Sequence, residues 1–130
     1  MDILQPPGWV RPKGYSNGIA ARGRQVYVSG MIGWDAECRF QTDDFVGQAR
    51  QALENVVAVL REAGAGPEHI VRMTWYVLDR QEYLQAGAAL GAAYRDVIGR
   101  HYPTMSAVQV AALMEERARI EIEVTAVVPD

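Results

Sequence analysis

RIEIEVTAVV, residues 119–128, has a period of two. Ile120, Ile122, Val124 and Ala126 fall on one side, and Glu121, Glu123, Thr125 and Val127 on the other. That spacing is a strand with one face on a core. The strand is predicted over residues 117–128, and its second face carries two carboxylates.

Moving upstream, MSAVQVAAL (105–113) is a second alternating strand, set off by Pro103. EYLQAGAALGAAYRDVIG (82–99) reads as a helix. Gly87 and Gly91 weaken it by roughly 1 kcal/mol each against alanine, so they are expected to serve close packing. HIVRMTWYVLD (69–79) is rich in β-formers and predicts a strand. TDDFVGQARQALENVVAVLREAGAG (42–66) is the strongest helix. Phe45, Ala49, Ala52, Leu53, Val56, Val57 and Leu60 make its apolar stripe. Thr42 or Asp43 is expected to cap it, and Gly64 or Gly66 to end it. Residues 33–44 form a polar, aperiodic loop. GRQVYVSGMIGW (23–34) is another strand, with a turn or bulge at SNG (16–18) before it.

The order is ββαβαββ, an α+β layer with two helices on one face of a mixed sheet. The other face needs a cover. Val108, Val110, Trp75 and Val127 are the apolar candidates for it. Self-association through that sheet face is the expected solution.

The length, 130 residues, suits a single domain over 1–130. Residues 1–14, with Pro6, Pro7, Gly8, Pro12 and Gly14, read as an irregular lead-in. Hydrophobic residues make up 49%, enough for a core without disulfides or a structural metal. The net charge of -3 and the lack of basic runs argue against a nucleic-acid partner. The first residues lack the pattern of a signal peptide, and no apolar run is long enough to span a membrane. A single cysteine, Cys38, permits no intrachain disulfide and fits a cytoplasmic location.

Most standard chemistries find no pattern. His69 and His101 lack metal-ligand spacing and read as loop or helix-end residues. Cys38 has no neighbouring histidine to activate it. VSGMIG is not a nucleophile elbow, and GIAARGRQ is too loose for a phosphate loop. Three quieter features remain. Glu121 is either a solvated edge carboxylate or one that holds a water in an intersubunit cleft. The Tyr15 hydroxyl either packs or reaches a ligand. Ser29 and Gly30 form either a plain turn or a place where bare backbone meets a ligand.

GYSNG, VYVSGMIGWD, QARQALENVVAVLREAGA, IVRMTWYVLD, YPTMSAVQV and RIEIEVTAV, in that order from Gly14 to Val127, resemble the Rid/YjgF family of reactive intermediate deaminases. The resemblance implies a chorismate-mutase-like fold. It also implies a homotrimer with a central barrel of sheets and small-molecule sites between subunits. In deaminating members water attacks an imine or enamine carbon and ammonia leaves, without cofactor or metal. Some relatives carry the name endoribonuclease, which the acidic balance here does not favour. By the same resemblance, Tyr15, Ser29 and Gly30 fall on substrate-binding positions, and Glu121 on the water-positioning glutamate. Met31 stands where glutamine is frequent.

The departure lies in PTMS, residues 103–106. The family's deaminating members read P-A-R-[ST] there, and the arginine clamps the substrate carboxylate. Met105 replaces a planar, bidentate cation with a polarizable apolar group; Ser106 matches. A carboxylate buried without its cation costs several kcal/mol, on the order of 3–5. Another cation must therefore substitute, or the ligand differs. Arg95, Arg100, Arg117 and Arg119 are candidates, with Arg119 expected on the face of Glu121. Alternatively Met31, Trp34 and Met105 form an apolar pocket for an uncharged or aromatic ligand. Three readings follow: hydrolysis of a C–N bond in a molecule other than the usual 2-imino acids, non-catalytic binding or regulation, and ordinary 2-imino acid deamination with a substitute cation.

Overall fold

The alternation at the C-terminal end becomes the second strand of a four-stranded sheet. A computed structural model describes residues 1–130. The strands are β1 (Asp2–Leu4), β2 (Gly18–Ala20), β3 (Arg24–Ile32), β4 (Ile70–Val77), β5 (Thr104–Gln109) and β6 (Ile120–Val128). The helices are α1 (Phe45–Glu62), α2 (Arg80–Gln85) and α3 (Gly87–Val97). The large sheet has the order β3-β6-β4-β5, antiparallel except for the parallel β4–β5 pair. A parallel pair needs a crossover, and α2 with α3 supplies it.

Directly opposed residues share a face. Ile122 pairs with Met31 on one side and Trp75 on the other, and Met73 pairs with Val124. These residues meet the α1 stripe, and all seven apolar positions predicted for that stripe are buried. Ile120, Ile122, Val124 and Ala126 are all in the core, as the alternation requires. Gly33 allows the end of β3 to cross close to α1: a Cβ there would lie 2.7 Å from the Gln48 Cα.

Several local expectations change. Asp44, rather than Thr42 or Asp43, caps α1 by accepting from the Gly47 N–H at 2.8 Å. Gly64, with φ of +70°, follows the helix end. The helix expected over 82–99 is two helices meeting at Ala86, with Asp79 capping α2 through the N–H groups of Gln81 and Glu82. Within the lead-in, Asp2–Leu4 form a strand because β2 supplies a partner; the predicted irregularity otherwise holds to Gly14. Residues 117–119 precede β6, and β5 ends at Gln109.

The open face also differs from expectation. Trp75 is 2% exposed and packs edge-on against Tyr83 under the helices, because its register partner is Ile122. The residues left on the open face include Tyr27, Arg72, Thr74, Tyr76, Glu121 and Glu123. It is therefore largely polar, and Val108 is 43% exposed on it.

The turn into β5 is braced from below. The Tyr94 hydroxyl donates to the His101 carbonyl at 2.6 Å, and His101 Nε2 lies 2.7 Å from the Ile70 carbonyl. Burial, with Tyr102 adding to it, pushes the Tyr94 phenol well above its ordinary pKa. Folding thus favours the protonated form. This stabilisation is complete below the unfolded value near 10 and is lost as pH rises toward the folded one. Tyr94→Phe should cost about 1–2 kcal/mol at neutral pH through the orphaned carbonyl. In urea titrations the gap between wild type and variant should narrow between pH 8 and pH 11.

Candidate functional site

Ser29 and Gly30 sit in a β-bulge. The β3–β6 ladder runs regularly to Val28–Val124 and resumes at Met31–Ile122, so two residues of β3 face Glu123 alone. Such a bulge interrupts the ladder and re-aims the chain locally. The Glu121 side chain lies across it. A Cβ on Gly30 would be 2.6 Å from the Glu121 Cδ, so glycine at position 30 makes the room the carboxylate occupies. Glu123, one step along the same face, is committed: the Tyr76 hydroxyl donates to it at 2.5 Å. That bond, with some desolvation, raises the Tyr76 pKa. Glu121 is half-buried and has no hydrogen bond or ion pair within the chain. It is the uncommitted carboxylate on this face.

Met105 is elsewhere. It pairs with Met73, so it points to the helix side of β5 and packs against the core, on the face opposite Glu121 and two strands away. Ser106, its neighbour, pairs with Thr74 on the open face. Tyr15 is held at the mouth of β5 by the residue after it. Ser16 donates its N–H to the Pro103 carbonyl at 3.1 Å and its hydroxyl to the Tyr102 carbonyl at 2.5 Å. The Tyr15 side chain is 43% exposed.

Beside Met105 lies a cavity of about 390 Å³. Trp75, Tyr83, Leu90, Tyr94, Tyr102 and Arg95 line it with Met105. Tyr94 and Tyr102 stack, with centroids 5.7 Å apart and planes 13° from parallel. Gly87 and Gly91 belong to the same wall. A Cβ on Gly87 would meet nothing within 4 Å, and on Gly91 only the Arg95 guanidinium at 3.3 Å. The glycines thus leave space open; the close packing expected of them is absent.

The remaining sequence candidates occupy other places. Met31 packs on the core from β3. Trp34 sits on Phe40, with ring centroids 5.8 Å apart, at a depression shared with Cys38 and Arg117. Within one chain, Met31, Trp34 and Met105 do not share a pocket. Arg119 does not reach Glu121, because it precedes β6 and Glu82 holds it at 2.6 and 3.2 Å. Arg117 pairs with Asp43 and lies over Phe40. Of the four arginines considered as substitutes, Arg95 is the one that lines the Met105 cavity.

A family model described as Endoribonuclease L-PSP matches residues 10–128. The chain belongs to the Rid/YjgF family. This Rid protein is 36% identical over 108 residues to a 2-iminobutanoate/2-iminopropanoate deaminase of Salmonella typhimurium, covering 81% of this chain and 80% of that one. Its fold, the chorismate-mutase-like fold of the family, matches that of YyfB, a Rid family protein of unknown function from Yersinia pestis. The TM-score is 0.85 at 28% identity, with 98% of both chains covered. RidA from an Antarctic Psychrobacter matches with a TM-score of 0.71 at 28% identity, covering 98% of this chain and all of that one, 100%. No helix of this Rid protein is long and apolar enough to cross a membrane.

Two structural features escaped the sequence reading: the bulge at Ser29 and Gly30, and the wall that α3 gives the cavity beside Met105. A signal for the second was present. Gly87, Gly91 and Arg95 recur every four residues, which puts them on one helix face.

Proposed function

We propose that this Rid protein hydrolyses the C–N bond of an imine or enamine other than the usual small 2-imino acids, in a cleft between two copies of a homotrimer. Glu121 of one copy holds the attacking water, and the Met105 cavity of the next holds the body of the substrate. Water adds to the C=N carbon while Glu121 accepts its proton. The resulting carbinolamine collapses to a carbonyl as its nitrogen, now protonated, leaves as ammonia. One imine and one water thus give one carbonyl compound and one ammonia.

The observation that carries this reading is the free Glu121 carboxylate lying over the side-chain-free bulge at Gly30. The deaminase activity named for the Salmonella relative supports the reaction class. Support for a shared cleft comes from the sheet. Glu121 and Met105 are on opposite faces, so a second copy is needed to bring such residues around one ligand. A largely polar open face suits a barrel interior with retained water. Methionine at position 105 supports a substrate with a larger apolar body than the short imino acids, since a thioether offers apolar contact where a clamp for the carboxylate would otherwise dominate binding.

The test generates imines in the assay with an amino-acid oxidase and follows ammonia and oxo-acid formation. Wild type should accelerate imines with long apolar or aromatic side chains more than 2-iminopropionate. Met105→Arg should raise activity on 2-iminopropionate. If neither protein accelerates any imine, the reading fails in favour of non-catalytic binding.

A further inference from the structure

We infer that Glu123 is a positioning residue: by accepting the Tyr76 hydroxyl it keeps that phenol off Glu121, which stays free to hold a water. The inference rests on the reading of Glu121 as the base, and it names what keeps that base available.

Three observations carry it. The first is register. Tyr76 on β4 is the direct partner of Glu121 on β6, while the partner of Glu123 is Thr74. Directly opposed side chains are the nearest neighbours across a ladder, with Cβ atoms about 4.5–5.5 Å apart. A phenol at position 76 therefore stands opposite Glu121 and reaches Glu123 along the diagonal.

The second is the bond that is made. The Tyr76 hydroxyl donates to Glu123 Oε1 at 2.5 Å. A phenol has one proton to donate, so none is left for Glu121. Glu121 makes no hydrogen bond or ion pair within the chain and leans the other way, over Gly30 of β3. On the far side of Tyr76 its β5 partner is Val108, whose side chain cannot accept.

The third is electrostatic. Donation to Glu123 is the main cause that raises the Tyr76 pKa, with desolvation and the charges of Glu123 and Glu121 adding to it and Arg72 opposing it. The phenol thus feels the Glu121 charge without being bonded to it. A hydrogen bond to a carboxylate stabilises its charged form and makes it a weaker base, so transfer of the phenol to Glu121 would cost activity. Of the two carboxylates on this face, one serves the reaction and the other occupies the donor that would interfere.

The test measures imine hydrolysis by the full-length protein in Glu123→Ala, Glu123→Gln and the double variant Glu123→Ala with Tyr76→Phe. Alanine removes the acceptor and releases the phenol to Glu121. Its kcat/KM should fall about 10–100-fold, the size of a hydrogen bond to a charged group. Glutamine keeps a carbonyl oxygen for the phenol and loses only an exposed charge, so it should stay within about threefold of wild type. Adding Tyr76→Phe to the alanine variant should restore activity, whereas a sheet merely disturbed by alanine would not recover on a second truncation. Equal losses in alanine and glutamine variants overturn the inference, as does an alanine loss that Tyr76→Phe does not relieve. A second readout needs no turnover. The Cζ resonance of Tyr76 in carbon NMR should show that the phenol of Glu123→Ala still ionises above the ordinary value near 10, because Glu121 has become its acceptor. Adding Glu121→Gln should bring it down. Ionisation at the ordinary value in Glu123→Ala overturns the inference. A phenol that stays raised while no variant or wild type hydrolyses any imine supports the transfer and removes the proposed function. An ordinary phenol with turnover that depends on Glu121 does the reverse.

Discussion

Glu121→Gln should lower kcat/KM for imine hydrolysis by about 10²–10⁴-fold while leaving ligand affinity and thermal stability near wild type. Glutamine keeps the shape that fits over Gly30 but cannot take a proton from water. A positioned general base contributes about that much. The change should appear in kcat, because the lost interaction develops only as water attacks. Gly30→Ala separates position from charge. Its Cβ would fall 2.6 Å from the Glu121 Cδ, so the carboxylate must move although its charge is retained. A comparable loss in both variants, read from initial rates of ammonia release, would mean that the placement of the carboxylate matters as much as its basicity. Full turnover in Glu121→Gln would sink the hydrolytic proposal.

Gln48→Met should destabilise the fold by about 3–5 kcal/mol. Gln48 is fully buried, at 0% exposure, in the middle of the apolar stripe of α1. Its amide nitrogen donates to the Thr42 carbonyl at 3.1 Å and the Arg117 carbonyl at 3.0 Å, and its oxygen accepts from the Arg119 N–H at 2.8 Å. One side chain therefore satisfies three backbone groups from the loop before α1 and the lead-in to β6. Methionine matches its length and leaves all three unpaired. Each buried orphan costs about 1–3 kcal/mol. Urea unfolding should show the midpoint fall with the m-value preserved. A loss below about 1 kcal/mol would mean that water replaces the amide. The lead-in it holds runs directly into Ile120 and Glu121, so the surviving folded fraction should also lose activity.

The alternation in β6 and the stripe in α1 were legible because each has a clean period with polar residues on the off-face. Strand β4 is less readable. Arg72, Thr74 and Tyr76 on one phase and Met73, Trp75 and Val77 on the other are both bulky, so alternation alone does not say which phase meets the helices. Pairing with Ile122 and Val124 decides it, and pairing is a long-range property. The same holds for Met105, whose face follows from its parallel register with Met73. Arg119 looked aligned with Glu121 because strand period was carried past the strand's start; Glu82 captures it there. The bulge was invisible because two residues opposing one is a relation between strands. Resemblance supplied what periodicity lacked, pointing to Tyr15, Ser29, Gly30 and Glu121; within one chain the fold lays Glu121 across the bulge of Ser29 and Gly30, while Tyr15 stands at the mouth of β5, two strands from β6.

The position of β6 bears on how the protein is made. The sheet's second strand is the last in chain order, and it alone joins β3 to β4 and β5. During synthesis, β3 and the β4–β5 pair emerge with no partner between them. Their facing edges stay open until the final nine-residue strand arrives. Sheet closure is therefore a late event that spans most of the chain, and late non-local pairing slows folding. A nascent chain halted before Ile120 presents two unpaired strand edges to its neighbours, the kind of surface on which chains join one another wrongly.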